Sequence, residues 1–154
     1  MKQIVCYGEV LWDMLPTGKK LGGAPLNVAL RMQSFGCSAK VISSLGKDAS
    51  GNGIVEQMKM YNATTNHVQV SQKFATSEVL VTLNDTGSAS YEIKMPCAWD
   101  DIQFLEKDVV AVKSADAFIY GSLVARQFTS METLFSLLKF SKFKVFDVNL
   151  RAPH

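Results

Sequence analysis

Short apolar runs alternate along the chain with stretches whose apolar positions recur at helical spacing. Residues 3–8, centred on Ile4 and Val5, predict a buried strand, and residues 10–15 (VLWDML) either extend it or form a second strand after a Gly-Glu bend. Residues 24–35 predict a helix: Leu26, Ala29, Leu30 and Met32 share a face, and Gly36 stands where a C-terminal glycine belongs. A strand over 40–45 and a helix over 53–61 follow. Beyond His67 the texture changes. Two β-type runs, 78–83 (EVLVTL) and 88–95 (SASYEIKM), flank Asn84-Asp85-Thr86-Gly87, which predicts a hairpin interrupting the rhythm as an inserted or projecting sheet. The rhythm then resumes with a helix over 108–113, a strand over 116–120, an amphipathic helix over 129–140 and a strand over 144–148.

Repeated strand–helix–strand units predict an α/β fold with a parallel sheet covered by helices. Ligands of such sheets sit beyond the carboxyl ends of the strands. The polar groups there are the informative ones: Glu9, Asp13, the Gly46-Lys47-Asp48 step, Gly121-Ser122, and Asp147, Asn149 and Arg151.

Composition narrows the function classes. With 154 residues, 47% hydrophobic and 19% charged, the chain can build a core and is not disordered. A net charge of +2 is too balanced for an electrostatic nucleic-acid footprint. No apolar run is long enough to span a membrane. The first residues lack a signal-peptide pattern, so a cytoplasmic location is expected. Cys6, Cys37 and Cys97 have no metal-ligand spacing and read as reduced thiols filling apolar positions.

The most informative stretch is Gly22-Gly23-Ala24-Pro25-Leu26-Asn27. Two glycines before a helix let the backbone approach a ligand closely, and Pro25 suits the first helical turn. Asn27 offers a donor and an acceptor, as a hydroxyl-rich ligand requires. The stretch is neither a Walker A loop nor a Rossmann fingerprint. As a lone motif it also fits a tight turn and a helix cap.

The spacing beyond it is more specific. Gly22-Gly23-x-Pro25-x-Asn27-x-Ala29, followed by Gly36 and Gly46, resembles the first signature of the ribokinase/PfkB family of carbohydrate kinases. Other segments resemble the family in order: Gly8-Glu9 with Asp13, Gly46-Lys47-Asp48-Ala49-Ser50-Gly51, the hairpin after Thr76, and Asp147-Val148-Asn149-Leu150-Arg151. The last resembles fructokinase-like and ketodeoxygluconate-kinase-like members.

The resemblance implies a ribokinase-like three-layer sandwich with a mostly parallel central sheet and a small β-sheet lid, the lid segments lying near 10–21 and 76–99. It implies transfer of a phosphoryl group from ATP, with Mg, to a sugar hydroxyl. Asp13 would bind sugar hydroxyls beside Gly22, Gly23 and Asn27. Lys94 would reach the sugar from the lid or else lie on a solvated sheet face, and Trp99 would close the pocket or anchor the lid. Asn149 and Arg151 would lie near the nucleotide phosphates. Asp48 is expected to order its own loop, and Glu9 to hold the sugar loop. The family's second signature, which carries the anion hole and the catalytic Asp, does not occur among these residues. The chain is therefore expected to be the N-terminal, sugar-binding portion of one domain, inactive alone. A fructokinase-like activity is expected. Ketodeoxygluconate or nucleoside kinase activity stays open, as does a non-catalytic sugar-binding or assembly module that dimerises through the lid.

Overall fold

The computed structural model describes residues 1–83 and 89–149. Its backbone forms β1 (Gln3–Tyr7), β2 (Leu11–Leu15), β3 (Gly18–Gly22), α1 (Ala24–Ser34), β4 (Ser38–Gly46), α2 (Ala49–Met60), β5 (Val68–Ser71), β6 (Ser77–Leu83) and β7 (Ala89–Ile93). A helical turn at Ala98–Asp101, α3 (Glu106–Ser114), β8 (Ala117–Gly121), a second turn at Leu123–Arg126, α4 (Phe128–Leu138) and β9 (Lys144–Asp147) follow.

Five strands form a parallel sheet in the order β5-β4-β1-β8-β9. From β1 the chain builds outward to β4 and β5, then returns to lay β8 and β9 on the other side of β1. The reversal creates a switch point at the carboxyl ends of β1 and β8, where such sheets bind ligands. Alternation along β1 divides the core. Ile4 and Cys6 pack with Leu26 of α1 and with Ile54 and Met58 of α2. Val5 and Tyr7 face Val109 and Val112 of α3 and Leu134 and Leu137 of α4. Helices therefore cover both faces, and three layers result.

Four strands form a separate small sheet in the order β3-β2-β6-β7. Its inner strands β2 and β6 run parallel, and each carries an antiparallel partner outside. Leu11 and Val79 are buried on one face, with Ile93 packed against them. The expected hairpin is thus half of a larger sheet.

The remaining differences from the sequence reading concern limits. Of the two alternatives for residues 10–15 the separate strand holds: the bend at Gly8 sends β2 into the small sheet. Helix α2 begins at Ala49 because Asp48 caps it, its carboxylate accepting from Gly51 N–H at 2.7 Å. β3 and β5 were not expected. The turn 84–87 and Arg151 lie outside the described residues. Among the described residues no helix is long and apolar enough to cross a membrane. All three cysteines are free, and burial pushes the Cys6 thiol up to about 12, which suits a packing role.

Candidate functional site

The bend after β1 organises the site. Glu9 is 5% exposed, and its Oε1 accepts from Ala24 N–H at 3.3 Å at the start of α1. Its Oε2 is buried with no protein partner. Burial pushes the carboxyl up to about 7; the Asp147 charge adds to the rise, while the Ala24 hydrogen bond and Arg126 oppose it.

The two glycines are shaped by what touches them. Gly23 sits before α1 at φ 106, and a Cβ there would stand 2.3 Å from the Glu9 carbonyl oxygen. A Cβ on Gly22 would stand 2.3 Å from Asp13 Oδ2. Sheet register explains the second contact: Leu11 lies opposite Gly22, and Asp13 lies opposite Lys20. Asp13, Gly22, Gly23 and Glu9 therefore form one contiguous group. Asn27 follows on the first turn of α1, its N–H donating to Gly23 O at 3.0 Å. Its side chain is exposed and borders an open groove of about 460 Å³ with Trp12, Lys20, Leu30, Gln57 and Tyr61.

Asp48 serves its own loop, as expected. Its Oδ2 accepts from Thr76 N–H at 2.8 Å, and its Oδ1 from the Thr76 hydroxyl at 2.7 Å. Thr76 in turn accepts from Gly46 N–H at 2.9 Å. Partial burial would raise the carboxyl, but the Thr76 and Gly51 hydrogen bonds win and hold it below its ordinary value. The start of β6 is thereby tied to the end of β4.

At the exit of β7, Trp99 is fully buried and anchors the turn it belongs to. Ser130 of α4 donates its hydroxyl to Trp99 O and accepts from Ile102 N–H. Lys94 lies just past β7 with an exposed side chain. Asn149 and Asp147 are exposed at the carboxyl end of β9, Asn149 with φ 35. Asp147 is close enough to act on Glu9.

Sequence reasoning missed Arg126 and Asp100. Their forks meet at 2.7 and 2.8 Å, and the guanidinium lies 3.9 Å from the Trp99 ring centroid. One signal was present: each charge ends or interrupts an otherwise apolar run, LVAR and CAWDDI. It also missed the buried His67–Asp108 pair, 2.7 Å apart, which joins the segment before β5 to α3.

The profile of the pfkB family of carbohydrate kinases matches residues 1–154. The chain belongs to this family. Among curated relatives it is 28% identical to a probable fructokinase-7 of Arabidopsis thaliana over 97% of this chain and 49% of that protein. It is 29% identical to a sugar kinase of Pyrococcus horikoshii over 96% of this chain and 52% of that one. The chain thus spans about half the length of these relatives. The crystal structure of the Pyrococcus horikoshii sugar kinase superposes with a TM-score of 0.87, covering 97% of this chain and 54% of that one. The same kinase is known in complex with ATP. A fructokinase from Halothermothrix orenii, 21% identical, shares the fold with a TM-score of 0.83. The ribokinase-like architecture, with its central parallel sheet and separate small sheet, is therefore the family's own.

Proposed function

We propose that this chain carries the sugar-binding half of an ATP-dependent carbohydrate kinase of fructokinase type. One observation carries the reading: the Asp13 carboxylate is seated against Gly22, beside the Gly23–Glu9 contact, at the switch point of a pfkB-family sheet. An ionised carboxylate accepts two or more hydroxyl hydrogen bonds, and adjacent glycine backbone admits a polyol to close range. Asn27 contributes a two-way amide one turn away. The small sheet acts as the lid, with Lys94 at its rim as a further contact to substrate.

ATP is the phosphoryl donor, and Asn149 and Arg151 are assigned to its phosphates. Among the described residues no group of three or more His, Cys, Asp or Glu is placed to hold a metal. Mg²⁺ is assigned to the nucleotide, as is usual for that ion. The general base is assigned to sequence outside the residues matched here, and the chain alone is expected not to turn over. Cytoplasmic residence and pairing of two copies through the small sheet complete the reading, with no role for nucleic acid or membrane.

Asp13 tests it. Hydrogen bonds to a charged group are worth about 1.5–3 kcal/mol each. In the complete kinase, Asp13→Ala should raise the sugar KM roughly ten- to a hundredfold, with the ATP KM unchanged. A panel of fructose, ketodeoxygluconate and nucleosides assayed on the unmutated enzyme identifies the acceptor class. Unchanged kinetics for the accepted substrate in the variant would remove Asp13 from the site.

A further inference from the structure

The small sheet rejoins the large one where β7 ends, and this junction is held by a residue far away in sequence. Arg126 closes the turn after β8, at the switch point. Its Nε and Nη2 donate to the two carboxylate oxygens of Asp100, and Nη2 also donates to the Lys94 carbonyl at 3.1 Å. Its plane lies over Trp99. Asp100 is 3% exposed and accepts in addition from Cys97 N–H at 2.9 Å. One side chain therefore grips the residue after β7, the turn at Ala98–Asp101 and an indole ring. Ile93, the last residue of β7, packs against both the Leu11–Val79 cluster and the core around Trp99. The gripped point is thus one of the chain crossings between the two sheets.

Stability alone is a poor account of this arrangement. A buried ion pair is often no better for stability than well-packed apolar residues of similar volume. What an apolar replacement lacks is direction. The fork fixes the guanidinium in one plane, and that plane sets where the Lys94 carbonyl stands. Lysine could supply the charge but not the bidentate contact, the stacking and the carbonyl bond together. Arg126 also acts electrostatically on Glu9, whose carboxyl supports the Gly23–Ala24 step. The same cation thus binds the Lys94 carbonyl directly and adds a weaker, through-space pull on the Glu9 carboxyl.

We propose that Arg126 is a positioning residue that clamps the end of β7 and so sets where the β6–β7 arm of the small sheet, with Lys94, is held against the body of the large sheet. Its effect on catalysis rests on the sugar-kinase reading; its effect on the crossing after β7 does not. Two variants test it. Arg126→Lys keeps the charge and loses the fork. Arg126→Gln combined with Asp100→Asn leaves no buried charge unpaired and remains interpretable if the single variant folds poorly. Hydrogen–deuterium exchange on this chain should accelerate at least tenfold across residues 89–96 in both variants, with β1 and β8 unchanged. In the complete kinase the sugar KM should rise at least fivefold, with the ATP KM unmoved. Unaltered exchange at 89–96, or acceleration spread evenly over the whole chain, overturns the proposal. A kinase that accepts no sugar, with exchange localised as expected, refutes the functional reading and leaves the clamp standing.

Discussion

Gly23→Ala should collapse the sugar-side loop: sugar affinity is expected to fall at least a hundredfold, and stability with it. The new Cβ would meet the Glu9 carbonyl oxygen at 2.3 Å, the Glu9 carbonyl carbon at 3.0 Å and Val10 Cα at 3.1 Å. All three are backbone atoms, so no rotamer change relieves the clash. Glu9 cannot retreat either, because Gly8 N–H is bonded to Ile42 O at 3.1 Å at the end of the large sheet. In addition, φ at Gly23 is 106, which an L side chain tolerates only with strain of about 1–3 kcal/mol. The loop itself must move, and it carries Gly22 away from Asp13. Gly53→Ala is the contrasting control. There the added Cβ meets its nearest atom, on Trp12, at 3.4 Å, an ordinary contact. Alanine in a helix interior gains about 1 kcal/mol over glycine, so this variant should melt higher. Calorimetric sugar titration of the complete kinase and thermal melts of both variants check the pair. Unchanged melting and affinity in Gly23→Ala would show that the glycine is not required there.

Glu9→Gln should abolish a pH dependence that the wild-type protein carries. The folded carboxyl is raised to about 7 from an ordinary 4.5. The folded state therefore binds a proton that the unfolded state has released, across the interval between those values. For this group stability is fully present below pH 4.5 and is lost as pH rises through 7. By pH 8 the loss is on the order of 3 kcal/mol. Glutamine reproduces the protonated acid: its carbonyl can accept from Ala24 N–H, and no charge is buried. The variant should match wild type near pH 4.5 and exceed it by that order at pH 8. Asp48 contributes the opposite slope, since its carboxyl is lowered and its stabilisation fades as pH falls. That contribution is common to both proteins and cancels in the difference. Denaturant unfolding of both from pH 4.5 to 8.5 provides the test; parallel curves would mean that Glu9 is ionised in the fold throughout.

The sequence disclosed what local chemistry dictates. Helix α1 announced itself through Pro25, its apolar stripe and Gly36, and β1 through an unbroken apolar run. Glu9, Asp13, Gly22 and Gly23 were singled out because their order resembles the pfkB-family motifs; taken alone each also fits a turn or a helix cap. β3 was not legible: GKKLG carries two lysines and little β propensity, and it is a strand only because β2 lies beside it. β5 is four residues long and takes its conformation from β4. The Arg126–Asp100 clamp was hidden for a different reason. Its members are separated in sequence, and neither the ion pair nor the contact with Lys94 exists until two turns from different parts of the fold are packed together.

The parallel pairing of β2 with β6 sets an order of events in folding. Leu11 pairs with Ser77 and Met14 with Leu80, yet α1, β4, α2 and β5 all lie between them in the chain. Neither outer hairpin brings β2 to β6. The ends of these strands meet only after the intervening units have been laid against β1, because a long loop must close before its contacts reward it. The small sheet is therefore expected to form late, on the native side of the folding barrier. Substitutions within it, such as Val79→Ala, should speed unfolding and leave the refolding rate nearly unchanged. The small sheet, proposed above as the lid, would then be open to change by mutation without hindering the protein's route to its native state.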